Sequence, residues 1–139
     1  MASKESLQVV LFSFGFKYGV PTDANVILDV RFLPNPYWVE KLRPETGLVE
    51  EVAAYALESD EGREFIALLK PMAAFLVEQN SAADKKSLRI AIGCTGGRHR
   101  SVAVIEALAV YLEELAVAYS FYHRDIERDG MENQRSVTV

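Results

Sequence analysis

Apolar residues cluster in four short runs that are rich in β-branched and aromatic side chains. These runs are LQVVLFSFG (7–15), NVILDVR (25–31), LRIAIGC (88–94) and VAYSFYHRD (117–125). Each is bounded by glycine, proline or charged residues, which is typical of strands. The pattern therefore predicts four strands, and the first two are expected to be buried.

Three other stretches repeat their apolar residues at helical spacing. They are TGLVEEVAAYALES (46–59), SDEGREFIALLKPMAAFLVEQN (59–80) and HRSVAVIEALAVYLEELA (99–116). Thr46 is a candidate cap for the first helix, and Pro71 predicts a kink or a break near Leu69 to Lys70 in the second. Strands that alternate with helices predict a single-domain α/β fold, with a mostly parallel four-stranded sheet and flanking helices.

Length and composition are those of an ordinary globular domain. The 139 residues are half hydrophobic and one quarter charged, which suffices for one core. Residues 1–128 are predicted to form the domain, and the aperiodic residues 129–139 a flexible tail. The chain opens without a leader pattern and contains no apolar run long enough for a bilayer, so a cytoplasmic location without membrane contact is expected.

Charge and cysteine content exclude several kinds of site. The net charge of −5 means that anion binding must come from a local basic cluster, and it favours small anions over nucleic acid. A single cysteine excludes an internal disulfide and a cysteine-rich zinc site. Two histidines without an acidic spacing pattern predict no metal site, and no cofactor is predicted.

The stretch IAIGCTGGRHRS (90–101) has the parts of a phosphate cradle. A strand that ends in a glycine-rich turn and continues as a helix leaves backbone N–H groups free at the positive end of the helix dipole. Cations beside a helix N-terminus are unfavourable unless an anion is bound. The predicted cradle residues are Cys94, Thr95, Gly96, Gly97, Arg98, His99, Arg100 and Ser101.

Parallel strands bring other polar residues to the same edge of the sheet. The loops after the first, second and fourth strands add further predicted ligand-binding residues. These are Tyr18, Arg31, Asn35, Tyr37, His123 and Arg124. Each also has a plain structural interpretation, as a loop aromatic, an ion pair or a solvated charge.

The same loop fits the pattern C-x5-R-S, from Cys94 through Arg100 to Ser101. This is the signature of cysteine-dependent phosphatases, in which a thiolate attacks phosphorus and the arginine holds the phosphate oxygens. Gly93 stands where those enzymes usually carry a histidine. Asp29 and Asp125 are the only candidates for the acid that protonates the leaving group, so this alternative stays open.

Five motifs together resemble a known family. GFKYG, DVRFLPNP, LRPxTG, GCTGGxHRS and HRD lie between about Leu7 and Asp125, and they are similar to motifs in the C-terminal domain of the RNase adapter protein RapZ, or YvcJ-like, family. The resemblance implies an α/β unit that senses glucosamine-6-phosphate at the GCTGGRHR loop, with the loops FKYGVP and FLPNPYW closing over it.

The resemblance also implies partners. Full-length family members carry an N-terminal P-loop domain for ATP or GTP, and this sequence contains no G-x-x-x-x-G-K-[ST] motif. Members in enterobacteria bind regulatory small RNA, but the ending of this chain lacks the lysine-rich tail expected for RNA binding. We therefore expect a phosphorylated small molecule as ligand and a protein partner as a further option. RNA has weak support, and self-association is expected because the family forms oligomers.

Overall fold

The computed structural model describes residues 6–128, which contain four strands and three α-helices. Along the chain they are β1 (Gln8–Gly15), β2 (Val26–Asp29), α1 (Glu50–Leu57), α2 (Asp60–Ala82), β3 (Ser87–Cys94), α3 (Arg100–Glu114) and β4 (Tyr119–His123). Short 3-10 turns follow β1 and β2. The predicted tail, 129–139, lies outside the described residues.

The four strands form one sheet in the order β2-β3-β1-β4. All three pairings are parallel, with Gly15 beside Cys94 and Ser13 beside His123. The predicted single-domain α/β fold is confirmed, and the sheet is entirely parallel. Because the strands share one direction, the loops after all four strands emerge at the same edge of the sheet.

The main core lies between one face of this sheet and the helices. Alternate residues of β1 and β3, such as Leu11 and Ile90, point into a cluster with α2 and α3. Nine of the fifteen residues of α3 are buried, which is the pattern of a helix packed against a sheet. The opposite face carries a smaller cluster of Phe12, Phe14 and Ala91, against which Phe16 and Ala24 of the β1–β2 connection pack.

Strand β2 is an edge strand, so the expectation that it is buried is wrong. Val26 and Leu28 pack against the main core, but Ile27 between them keeps 39% of its surface exposed. A strand with one neighbour and helices on one face buries only alternate residues. The apolar run predicted the strand correctly, while its place in the sheet decided its burial.

Two details of the helices also differ from prediction. Helix α1 begins at Glu50 with Val49 as its N-cap residue, and Thr46 instead accepts a hydrogen bond from Leu48 N–H in the preceding turn. Helix α2 runs unbroken through Pro71, so the break is wrong. Pro71 lies on the exposed side of α2, where water can solvate the carbonyl that loses its helical partner.

None of the helices within residues 6–128 combines the length and the apolar character that crossing a bilayer requires.

Candidate functional site

The glycine-rich loop joins the end of β3 to the start of α3. Gly97 has a φ of 76°, in the left-handed region that glycine adopts at no steric cost. A Cβ atom on Gly15 would lie 2.5 Å from the carbonyl carbon of Gly96. The end of β1 therefore packs directly against the loop backbone, and this close approach requires glycine at both sides.

The loop presents unused backbone donors at the start of α3. Among the described residues, none accepts a hydrogen bond from the backbone N–H of Gly96, Gly97 or Arg98. The loop precedes the first residue of α3, Arg100, so the positive end of the helix dipole lies beside these groups. Such an arrangement favours an anion.

Arg100 is buried, with 5% of its surface exposed. Its Nη1 donates hydrogen bonds to the carbonyls of Arg31, at 2.7 Å, and Leu33, at 3.2 Å. Its buried Nε has no hydrogen-bond partner within residues 6–128. Burial lowers the pKa of Arg100 because the charged guanidinium has lost water. A buried donor without an acceptor costs free energy, and an anion at this point would remove that cost.

A cavity of about 370 Å³ opens above this arginine. Its lining combines the glycine-rich loop with the loops that follow β1 and β2. The lining residues are Lys17, Asn35, Tyr37, Trp38, Cys94, Thr95, Gly96, Arg98, His99 and Arg100. Eight of these ten are residues that the sequence predicted for ligand binding.

The two remaining lining residues, Lys17 and Trp38, were not among the predicted site residues. Lys17 follows β1, and its backbone N–H donates to Thr95 O at 3.2 Å. Trp38 stands next to Tyr37 in FLPNPYW and is 73% exposed. Both residues are adjacent to predicted site residues in loops at strand ends, and this position is the sequence signal that could have identified them.

Tyr37 and Trp38 form an aromatic wall of the cavity, and Asn35 lies beside them. Asn35 Oδ1 accepts a hydrogen bond from Tyr37 N–H at 3.1 Å and thereby fixes the turn. The rings of Tyr37 and Trp38 meet edge to face, with centroids 5.2 Å apart. Arg43 stacks on the Tyr37 ring and donates to the Tyr37 carbonyl at 2.6 Å. The wall is therefore held in place before any ligand arrives.

The side chains of Arg98 and His99 are engaged with the segment 43–47. Arg98 Nη2 donates to the Pro44 carbonyl at 2.6 Å, and His99 Nε2 lies 3.1 Å from the Arg43 carbonyl. Gly47 N–H in turn donates to Arg98 O at 2.8 Å. Both side chains line the cavity while bracing the LRPETG segment against it.

Six predicted site residues do not line the cavity: Tyr18, Arg31, Gly97, Ser101, His123 and Arg124. The Arg31 guanidinium pairs with both oxygens of Asp29, the shortest contact being 2.7 Å, and lies over the Phe16 ring. Hydrogen bonds from Arg31 hold the pKa of Asp29 below its usual value. Arg31 thus reaches the site through its carbonyl, which binds Arg100.

His123, the last residue of β4, lies away from the cavity, and its side chain links β1 to α3. Its Nδ1 is 2.7 Å from Ser13 Oγ, and its Nε2 is 2.7 Å from a carboxylate oxygen of Glu106. Ser13 is fully buried, so this chain of hydrogen bonds connects β1 and β4 to α3. Tyr18 packs beneath the cationic side chains of Lys17 and Arg128.

Cys94 reaches the cavity but is only 2% exposed. Its sulfur lies 3.1 Å from Ser101 Oγ. Neither Asp29 nor Asp125 lines the cavity, and Asp125 is fully buried. The two sequence candidates for a leaving-group acid are therefore both outside it.

Within residues 6–128, no group of three or more His, Cys, Asp or Glu side chains is arranged to hold a metal ion.

Comparison with known proteins places this chain in a family. The family model described as the RapZ C-terminal domain matches residues 7–127. A nucleotide-binding protein of Nitratidesulfovibrio vulgaris is 52% identical over 122 residues, which are 88% of this chain and 42% of the relative. One from Caldicellulosiruptor bescii is 46% identical over 127 residues, 91% of this chain and 44% of the relative.

The chain thus spans less than half the length of these relatives. A third relative, a nucleotide-binding protein of Bacillus mycoides, is 45% identical over 127 residues, which cover 91% of this chain and 43% of its own. The match of the family model over residues 7–127 contains every element of the sheet and the whole cavity lining. The chain belongs to the RapZ C-terminal domain family.

Proposed function

We propose that this domain binds a phosphorylated amino sugar, of the kind represented by glucosamine-6-phosphate, and that it regulates a partner without catalysing a reaction. The observation that carries the proposal is the Nε of Arg100, a buried cationic donor beside a cavity, for which the described part of the chain supplies no acceptor. The phosphate is the part of the ligand that this donor would hold.

Charge and geometry support an anion at this point. The N–H groups of Gly96, Gly97 and Arg98 have no acceptor among the described residues, and Lys17 also lines the cavity. Hydrogen bonds between charged groups are about twice as strong as neutral ones. A dianionic phosphate would engage the loop donors and Arg100 together.

The remaining lining supports a polar ring-shaped body. The aromatic wall of Tyr37 and Trp38 offers a phenol and a largely exposed indole, and Asn35 beside it offers an amide. Tyr and Trp combine apolar surface with a hydrogen-bonding group, which suits a sugar with both C–H faces and hydroxyls. A cavity of about 370 Å³ is of the size that small-molecule sites have.

Isothermal titration calorimetry tests the proposal. The titrants are glucosamine-6-phosphate, glucose-6-phosphate, glucosamine, inorganic phosphate and ATP. We expect saturable binding of the two sugar phosphates, weaker binding of phosphate, and none of glucosamine. The inclusion of ATP separates this ligand class from the nucleotides that the names of the relatives suggest.

Arg100→Lys is the decisive variant because it keeps the positive charge and removes Nε and the planar fork. We expect affinity for the sugar phosphate to fall about tenfold or more, as one charge-assisted hydrogen bond is lost. Arg63→Lys is the matched control, since the Arg63 side chain is 70% exposed on α2. Equal affinities of Arg100→Lys and the wild type, or a wild type that binds no sugar phosphate, would contradict the proposal.

A cysteine-dependent phosphatase is the second candidate. Cys94, Ser101 and Arg100 favour it, because the sulfur lies 3.1 Å from the Ser101 hydroxyl and borders the same cavity. Against it stands the absence of Asp29 and Asp125 from the cavity lining. Turnover of an aryl phosphate that Cys94→Ser abolishes would establish this activity, whereas we expect Cys94→Ser to keep sugar-phosphate binding.

RNA and protein partners are further proposals. The net charge of −5 makes any RNA contact dependent on local cations and therefore on salt. A gel shift with a structured small RNA at low and moderate salt measures this contact. The cytoplasmic location and the self-association of the chain likewise stay predictions.

A further inference from the structure

The turn after β4 contains a carboxylate that is completely removed from solvent. Asp125 is 0% exposed and is held by ionic contacts to two arginines. Arg124 Nη2 lies 2.8 Å from its Oδ2, and Arg128 Nε lies 3.2 Å from its Oδ1. The turn is outside the cavity lining, so this buried charge has a role that ligand contact does not explain.

Asp125 contacts the point where Gly15 packs against the glycine-rich loop between β3 and α3, called the cradle loop from here on. Its Oδ2 accepts a hydrogen bond from Gly15 N–H at 2.8 Å. A Cβ atom on Gly97 would lie 2.6 Å from that same Gly15 nitrogen and 3.1 Å from the Asp125 Cβ. The carboxylate therefore fixes the end of β1 at the point where the cradle loop rests on it.

Arg124 extends this support to the loop that follows β1. Its Nη2 donates to the Gly19 carbonyl at 2.7 Å, and its guanidinium lies 5.5 Å from the Phe14 ring centroid. Lys17, which lines the cavity, lies between Gly15 and Gly19. The pair of Arg124 and Asp125 thus holds both ends of the segment that presents Lys17.

We propose that Asp125 is a positioning residue for the cavity: it holds Gly15, and through it the cradle loop, in the arrangement that accepts the ligand. The test of this role by ligand affinity rests on the proposed function, because the ligand is the phosphorylated compound inferred above. The role itself concerns the ligand-free protein and is measurable there.

A purely electrostatic effect of Asp125 and a positioning role predict opposite changes in phosphate affinity when the carboxylate is removed. Asp125→Asn removes a negative charge close to an anion site, and by Coulomb attraction alone this change strengthens phosphate binding. A positioning role predicts weaker binding. If the competent arrangement falls to about a tenth of the population, apparent affinity falls about tenfold.

The experiment compares Asp125→Asn with two controls. Asp23→Asn makes the same chemical change at a carboxylate that is 64% exposed and pairs with Arg89. Val77→Ala destabilises the core from α2, where Val77 is 1% exposed. Affinities for glucosamine-6-phosphate and inorganic phosphate are measured for each variant, together with melting temperatures.

Hydrogen exchange of the ligand-free proteins supplies the independent readout. In Asp125→Asn we expect the hydrogen-bonded amides of Gly15, Lys17 and Gly19 to exchange about tenfold faster or more. Amides of α3 should keep their protection. Val77→Ala should instead affect α2 and the core and leave affinity unchanged.

The outcomes separate the two ideas. Tighter or unchanged phosphate binding by Asp125→Asn, or unchanged exchange at Gly15, Lys17 and Gly19, overturns the positioning role. A wild type that binds no phosphorylated compound overturns the proposed function, while the exchange data still decide the role of Asp125. If Asp125→Asn does not fold, Arg124→Gln is measured: it should accelerate exchange in residues 16–19, and unchanged exchange there overturns the role.

Discussion

Replacement of Gly97 by alanine tests how tightly the cradle loop rests on the end of β1. Gly97 has a φ of 76°, and alanine would keep this left-handed conformation only with strain. The new Cβ would also lie 2.6 Å from Gly15 N and 2.9 Å from the Phe14 carbonyl carbon. Both neighbours are backbone atoms of a central strand, so the loop has to move.

The expected cost has two parts. The left-handed conformation of a residue with a Cβ costs about 1–2 kcal/mol. Overpacking against backbone adds about 1–3 kcal/mol. Gly97→Ala should therefore lower the free energy of unfolding by about 2–5 kcal/mol, a large part of the stability of an ordinary domain.

Gly19→Ala is the matched control that isolates the packing part. Gly19 has a φ of 98°, but a Cβ there would meet nothing within 4 Å. Its cost is then conformational strain alone, about 1–3 kcal/mol. Urea unfolding gives both free energies, and calorimetric titration gives the affinity for glucosamine-6-phosphate, which should fall for Gly97→Ala and persist for Gly19→Ala.

The reasoning is refuted if Gly97→Ala is as stable as the wild type, or if its affinity for the sugar phosphate is unchanged. A Gly19→Ala variant that loses as much affinity as Gly97→Ala would also contradict it. In that case strain anywhere near the cavity, and not the contact of the loop with β1, would control binding.

Two further predictions concern stability. The pKa of Asp29 lies below its usual 3.8 because Arg31 binds the carboxylate. This pair therefore contributes stability that is present above about pH 4 and is lost as the pH falls below it. In urea unfolding, Asp29→Asn should lose less stability in acid than the wild type, and identical acid profiles would contradict the pairing. Pro71→Ala should raise the free energy of unfolding by about 1–3 kcal/mol, because the alanine N–H restores a helical hydrogen bond on the exposed face of α2. An unchanged or lower melting temperature would count against this explanation.

Local sequence signals were sufficient to locate the four strands and the glycine-rich loop. The apolar runs predicted all four strands, because β-branched and aromatic residues fit a pleated surface. The glycines and the helical periodicity after Cys94 predicted that a strand would end there and a helix would start near Arg100. These features depend on neighbouring residues along the chain, so they can be predicted from a single sequence.

Burial, pairing and orientation were decided by the tertiary structure. Ile27 is exposed because β2 is at an edge of the sheet, and an apolar run has the same pattern in a central strand. The side chains of Arg98 and Arg100 look alike in sequence, yet one binds the Pro44 carbonyl and the other is buried with a free Nε. Asp125 acquires its contact with Gly15 across 110 positions of sequence. Such roles follow from which segments the fold brings together, because a hydrogen bond or a desolvated charge depends on neighbours in space.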